Sequence, residues 1–81
     1  MKYLISGHAR GRMKKRKVSE ADIVAVLEAP IMTWHDPAEG SMVLTGRGVN
    51  GGDLLVWVAG STWPVSGTIR VKSTSWKDED E

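Results

Sequence analysis

The chain has 81 residues, a formal net charge of +1 and no cysteine. This length accommodates one small domain with a modest core, and the lack of cysteine excludes disulfide bonds and thiolate chemistry. No apolar run approaches the length of a signal peptide or of a membrane-spanning helix. We therefore expect a soluble, cytoplasmic protein without a membrane partner.

The charges are strongly segregated along the chain. Residues 1–17 carry seven Lys or Arg and no acid, whereas residues 18–64 carry six acids and one Arg. Residues 65–77 carry three more bases, and residues 78–81 are all acidic. This pattern predicts a single domain over residues 1–77 and an acidic C-terminal tail. If the two basic segments converge, they would attract RNA or an acidic protein, although charge alone is equally compatible with a solvated surface.

The N-terminal third predicts two helices. After a short extended segment, Ser6 can act as the N-cap of a first helix over Gly7–Lys17. Ser19 and Asp22 have the spacing of a capping box, which favours a second helix that ends before Pro30. The second helix has an apolar stripe at helical spacing, made by Ile23, Val26 and Leu27.

The remainder of the chain predicts antiparallel strands. The candidates are residues 31–35, 42–47, 54–59 and 68–76. The third is apolar on both faces and is predicted to be central, with Trp57 in the core. Alternation in the last places Arg70, Lys72, Thr74 and Trp76 on one face and Ile69, Val71, Ser73 and Ser75 on the other. Trp63, in the preceding loop, is expected to fold back on the core. The predicted fold class is α+β, with two N-terminal helices packed on one face of a three- to four-stranded antiparallel meander.

The first helix carries an unusual stripe of cations. His8, Arg12 and Arg16 are four residues apart, which stacks them on one side of the helix with Lys15 beside them. Like charges at this spacing oppose each other by a few tenths of a kcal/mol per pair, so the stripe does not stabilise the helix. An external anion could offset the repulsion, or the stripe is a solvated surface.

Three sequence motifs resemble those of a known family. The pattern H-A-x-x-R-M-x-x-R over residues 8–16 is followed by S-E-x-D-I-x-x-x-L over residues 19–27 and by Thr74-x-Trp76. Together they resemble a small bacterial and archaeal domain of unknown function, which is similar to the RelE and BrnT toxins. These toxins belong to a wider group of metal-independent ribonuclease folds that includes barnase and the colicin nucleases.

The resemblance implies a RelE/BrnT-toxin-like α+β fold and cleavage of RNA without a metal or other cofactor. The ribose 2′-hydroxyl would attack the neighbouring phosphate, which requires a base, an acid and cations. Carried over to this chain, His8 would be the general base or acid, Arg12 and Arg16 would hold the phosphate, and Thr74 would donate a hydrogen bond near the site. An acidic antitoxin would cover the basic face.

Further residues are candidates for contact with RNA because they are cationic or aromatic. These are Lys15, Arg47, Arg70, Lys72 and Trp76. Trp76 stands where the family often has tyrosine, so it can stack on a base but cannot transfer a proton. No metal site is predicted, because His35 and Asp36 lack further ligands at suitable spacing.

Two other functions fit the same residues. A non-catalytic RNA- or ribosome-binding module would show salt-sensitive binding without cleavage. A protein-interaction domain would bind an acidic partner and no nucleic acid. A shared cleft for His8 and the polar side of the last strand would favour catalysis over both.

Overall fold

A computed structural model describes residues 2–63 and 67–77 and shows a small α+β fold with two helices and a five-stranded mixed sheet. The elements in chain order are β1 Lys2–Ile5, α1 Gly7–Arg16, α2 Glu20–Glu28, β2 Met32–Asp36, β3 Ser41–Arg47, β4 Asp53–Ala59, a 3₁₀ turn Gly60–Thr62, and β5 Thr68–Trp76. The strands lie in the order β1-β5-β4-β3-β2. The predicted acidic tail, residues 78–81, lies outside the described residues.

The sheet differs from the predicted meander at its β1 edge. Strands β2 to β5 pair antiparallel in chain order, but β1 adds a fifth strand that pairs parallel with β5. Its register sets Tyr3 beside Ile69 and Ile5 beside Val71. The expectation of three or four antiparallel strands was therefore wrong. A four-residue strand shows too little alternation to be recognised, and its partner lies at the other end of the chain.

Both helices pack on the same face of the sheet, as predicted. One continuous core joins Ala9 and Met13 of α1 to the buried side of α2 and to the inward residues of the strands. Trp63 packs against this core, which confirms its predicted position. Within residues 2–63 and 67–77, no helix is both long enough and apolar enough to cross a membrane.

Helix α2 begins with the predicted capping box. The Asp22 backbone N–H donates to Ser19 Oγ over 3.0 Å, and the Ser19 N–H donates to Asp22 Oδ2 over 2.9 Å. The other carboxylate oxygen, Oδ1, accepts the N–H of Val49 over 2.9 Å. Burial by itself raises the pKa of Asp22, but the hydrogen bonds from Ser19 and Val49 outweigh it, so this pKa lies below its usual value. Asp22 thus ties the start of α2 to the β3–β4 turn.

Strand β5 contains a β-bulge at Lys72. The register pairs Val58 with Val71 and Trp57 with Ser73, which leaves Lys72 as the extra residue. Beyond the bulge the two faces of the strand are exchanged relative to simple alternation.

Because of the bulge, the predicted assignment of β5 residues to the two faces of the sheet is wrong beyond Lys72. Thr74 lies opposite Val56 and Trp76 lies opposite Leu54, on the face that packs against the helices. Their predicted placement beside Arg70 was wrong, because an alternation pattern carries no sign of an inserted residue.

Candidate functional site

Helix α1 lies along the second half of β5 and is fastened to it at both ends. At the start, the Ser6 N–H donates to the Val71 carbonyl over 3.0 Å, while Ser6 Oγ caps the helix by accepting the Ala9 N–H. At the end, Arg16 Nη1 donates to the Thr74 carbonyl over 3.0 Å. The Trp76 indole N–H donates to the carbonyl of Arg16 over 2.7 Å. The first turn of α1 is thereby held beside the bulge of β5.

A cleft opens where the first turn of α1 meets the bulge. Its volume is about 260 Å³, and we call it the His8 cleft after the residue that α1 contributes. The lining residues are His8, Glu39, Ser41, Trp57, Lys72 and Ser73. Two of the predicted site residues, His8 and Lys72, are therefore brought together, although 64 positions separate them in the sequence.

Lys72 is held in the cleft by the β2–β3 turn and the first residue of β3. Its ammonium group donates to the carbonyl of Glu39 over 2.7 Å and to Ser41 Oγ over 2.8 Å. An ammonium group has three N–H donors, so one remains for a ligand oxygen once these two contacts are made. The bulge directs this side chain, since regular alternation would not set Lys72 and Ser73 at one cleft.

The imidazole of His8 has a cation directly beside it. Arg12 Nε donates to His8 Nε2 over 3.4 Å, a long hydrogen bond between residues four apart on α1. Lys15 is exposed on the same helix, about two turns beyond His8. We call His8, Arg12, Lys15 and Arg16 the basic side of α1.

A different side of α1 faces an acid of α2, Glu20. The hydroxyl of Tyr3 donates to Glu20 Oε2 over 2.6 Å, and Arg10 Nη1 contacts Glu20 Oε1 over 3.1 Å. The hydrogen bond from Tyr3, followed by that from Arg10, lowers the pKa of Glu20, and the same bond to Glu20 raises the pKa of Tyr3. Arg10 is thus paired with an acid of α2, while Arg12 lies beside His8.

Two predicted site residues hold structural positions. Thr74 is fully buried and its hydroxyl donates to the carbonyl of Leu55 over 2.8 Å. Trp76 packs against the core, and a Cβ at Gly48 would lie 3.2 Å from its ring. Neither lines the His8 cleft, because the bulge turns both toward the helices.

Two predicted RNA-binding arginines lie away from the cleft. Arg47 ends β3 and faces Asp53 across the hairpin, with 4.0 Å between Nε and Oδ1. Arg70 precedes the bulge and lines a second, more open cavity of about 630 Å³ together with Leu4 and Lys72. Only Lys72 belongs to both cavities.

Four cleft residues were not indicated as site residues by the sequence: Glu39, Ser41, Trp57 and Ser73. Glu39 lies in a segment whose Pro and Gly predicted a turn and nothing more. Trp57 was predicted to be core, but it is only partly buried and lies on the face away from the helices, in register with Ser73. A strand that is apolar on both faces does not reveal which of its residues face the core.

Within residues 2–63 and 67–77, no three His, Cys, Asp or Glu side chains are grouped so that they could hold a metal ion.

Residues 5–69 match the family described as a domain of unknown function, DUF4258. No curated protein and no solved structure matches the chain. Since the matched residues cover most of the sequence, the chain belongs to the DUF4258 family.

Proposed function

We propose that the protein is a metal-independent endoribonuclease of the RelE/BrnT toxin type, with the His8 cleft as its active site. The observation that carries this proposal is that His8, Glu39 and Lys72 line one cleft. Arg12 adds a guanidinium beside the imidazole. A proton-transfer pair and two cations at one place are the groups that cleavage of RNA without a metal requires.

The proposed reaction is a transesterification followed by release of the leaving strand. The ribose 2′-oxygen attacks the adjacent phosphorus and the bond from phosphorus to the 5′-oxygen breaks, which leaves a 2′,3′-cyclic phosphate and a 5′-hydroxyl. One group takes the proton of the 2′-hydroxyl and another delivers a proton to the 5′-oxygen. We assign these two transfers to His8 and Glu39, which both line the cleft and whose side-chain types take up and release protons.

The cations of the cleft stabilise the charge that forms on the phosphorane. The ammonium of Lys72 is held in place by Glu39 and Ser41, so its remaining N–H needs no reorganisation to meet a phosphate oxygen. Arg12 can present a planar pair of N–H donors to a second oxygen. Thr74 receives no role on the substrate, because its hydroxyl is buried and bonded within the sheet.

A toxin of this type requires a partner that silences it. We propose an acidic antitoxin that covers the basic side of α1, because residues 1–17 carry seven Lys or Arg and no acid. Binding of such a protein over Arg12 would also close the His8 cleft to RNA.

The test is cleavage of RNA by the purified full chain in EDTA. We expect cleavage that yields cyclic phosphate ends, and we expect His8→Ala to slow it about 10²- to 10⁴-fold, the usual contribution of a positioned acid or base. The matched control is His35→Ala, since His35 is exposed on β2 and does not line the cleft. Full activity of His8→Ala, or equal losses in both variants, would contradict the proposal.

One observation favours a second candidate, an RNA-binding module that does not cleave. Thr74, the hydrogen-bond donor that the resemblance to toxins implies, is buried and bonded within the sheet, whereas Lys72 lines the cleft and Arg12 lies beside His8. This candidate predicts salt-dependent binding of RNA with no cyclic phosphate product in any condition.

A further inference from the structure

The face of the sheet turned away from the helices carries an indole at its centre. Trp57 lies in the middle of β4 and is in register with Val43 of β3 and Ser73 of β5. Both helices pack on the opposite face, where the inward residues of β4 are Leu54, Val56 and Val58. Trp57 is partly exposed and forms one wall of the His8 cleft.

Trp57 contributes an aromatic side chain to the lining of the cleft. The other uncharged lining residues, Ser41 and Ser73, have small side chains, and Ser41 already bonds to Lys72. Val43 is only 1% exposed although it lies on this same face, between Trp34 and Trp57 in the cross-strand row. Trp34, Val43 and Trp57 therefore form a cross-strand row on the face of the sheet turned away from the helices.

A flat indole beside phosphate-binding cations is a recognised arrangement for holding an unpaired nucleotide. The base stacks on the ring while its phosphate meets Lys or Arg. The His8 cleft, about 260 Å³ in volume, has room for one nucleotide and not for a duplex. A paired base would have to leave its own stack to reach Trp57.

We propose that Trp57 is the stacking platform for one unpaired base next to the phosphate held at Lys72, which makes single-stranded RNA the substrate class. This inference rests on the proposed function, since it requires RNA in the His8 cleft. It adds a specificity-determining residue, because stacking on Trp57 selects unpaired over paired nucleotides.

The test compares binding of two probes to the full-length protein. One is a labelled single-stranded 2′-O-methyl RNA, which lacks the attacking hydroxyl, and the other is the same strand in a duplex. We expect the wild type to prefer the single strand. Trp57→Leu should weaken that binding about five- to 150-fold, the range for one base stacked on an aromatic ring. Duplex affinity and the salt dependence of binding should not change, because stacking displaces no counterions.

Two controls keep the result specific to Trp57. Trp34→Leu removes the other indole of the row, which lies outside the His8 cleft, and should leave both affinities unchanged. Trp57→Phe keeps an aromatic ring and should retain most of the preference for the single strand. Equal weakening of both probes by Trp57→Leu, or an equal effect of Trp34→Leu, would overturn the proposal.

A measurement on the wild type guards against a variant that does not fold. Single abasic residues placed in turn along the strand should weaken binding at one position by a similar factor, and no loss at any position would overturn the stacking role. If Trp57→Leu cleaves RNA with an unchanged KM, the stacking role of Trp57 is contradicted and the proposed reaction is not. Binding that depends on Trp57 without cleavage by the wild type would sink the proposed reaction alone.

Discussion

Helices α1 and α2 are nearly equal in length, at ten and nine residues, yet they are held in place by different means. Helix α2 has a capping box, acids in its first turn and an apolar stripe that is almost completely buried. Helix α1 buries only Ala9 and Met13, has Gly11 in its interior and has no acid in its first turn. Its position depends on hydrogen bonds to β5 at each end.

We infer from this difference that α2 contributes mainly to the stability of the fold and α1 mainly to the candidate functional site. The start and the buried side of α2 are specified by residues close together in the sequence. The hydrogen bond from the Val49 N–H to Asp22 then connects the helix to the β3–β4 turn. Most exposed side chains of α1 are cationic and repel one another. The helix therefore depends on its contacts with the sheet. Substitutions at the start of α2 should therefore change the free energy of unfolding, and substitutions on the basic side of α1 should change interactions with anions.

The largest effect is expected at Asp22. Asp22→Ala removes the capping box and leaves the Val49 N–H without its acceptor, which should lower the free energy of unfolding by about 2–3 kcal/mol in urea titrations. The matched control is Glu28→Ala, at the exposed end of the same helix, for which we expect a change within about 0.5 kcal/mol. Equal free energies of unfolding for the two variants would show that the hydrogen bonds of Asp22 do not stabilise the fold.

The same pair of proteins gives a test with pH. The pKa of Asp22 is lowered in the folded protein, so its carboxylate stabilises the fold above the unfolded pKa, near pH 4. That contribution is lost as pH falls through the lower, folded pKa. The gap in stability between wild type and Asp22→Ala should therefore narrow below about pH 4 and stay constant above about pH 5. If the difference in the free energy of unfolding between wild type and Asp22→Ala widens on acidification, folding does not lower the pKa of Asp22.

The next effect is expected at Arg12 and concerns binding. Arg12→Ala should weaken binding of single-stranded RNA and reduce the slope of log affinity against log salt by about one unit, since one phosphate contact is lost. Arg10→Ala is the matched control on the same helix, because Arg10 lies on a different side of α1, in contact with Glu20 and not with His8. It removes an equal charge and should leave the slope almost unchanged. Equal slopes in the two variants would show that the effect is one of net charge and not of the His8 cleft.

The parts of the fold that the sequence predicted are those set by neighbours in the chain. Both N-caps, the capping box and the hairpin strands depend on residues within a few positions of each other. The parallel strand β1 and the bulge at Lys72 depend on pairing across the whole chain, and both were missed.

The candidate site divides in the same way. Helical spacing was enough to predict that His8 and Arg12 lie together. The place of Lys72 at the cleft depends on the bulge, which also withdraws Thr74 from it. Glu39 reaches the cleft only because the β2–β3 turn approaches β5 across the sheet, a contact that no local pattern encodes.

The smallest effect is expected at Gly11 and tests whether α1 is the weak helix. A Cβ at this position meets nothing within 4 Å, and the residue is exposed inside a regular helix. Gly11→Ala should raise the free energy of unfolding by about 0.8–1 kcal/mol, because glycine loses more backbone freedom on folding than alanine. Gly51→Ala, at a turn position with a φ of +86°, should lower it, since a side chain strains that conformation. If Gly11→Ala brings no gain while Gly51→Ala is destabilising, the conformation of α1 is fixed by its contacts with β5 and its own helix propensity contributes little.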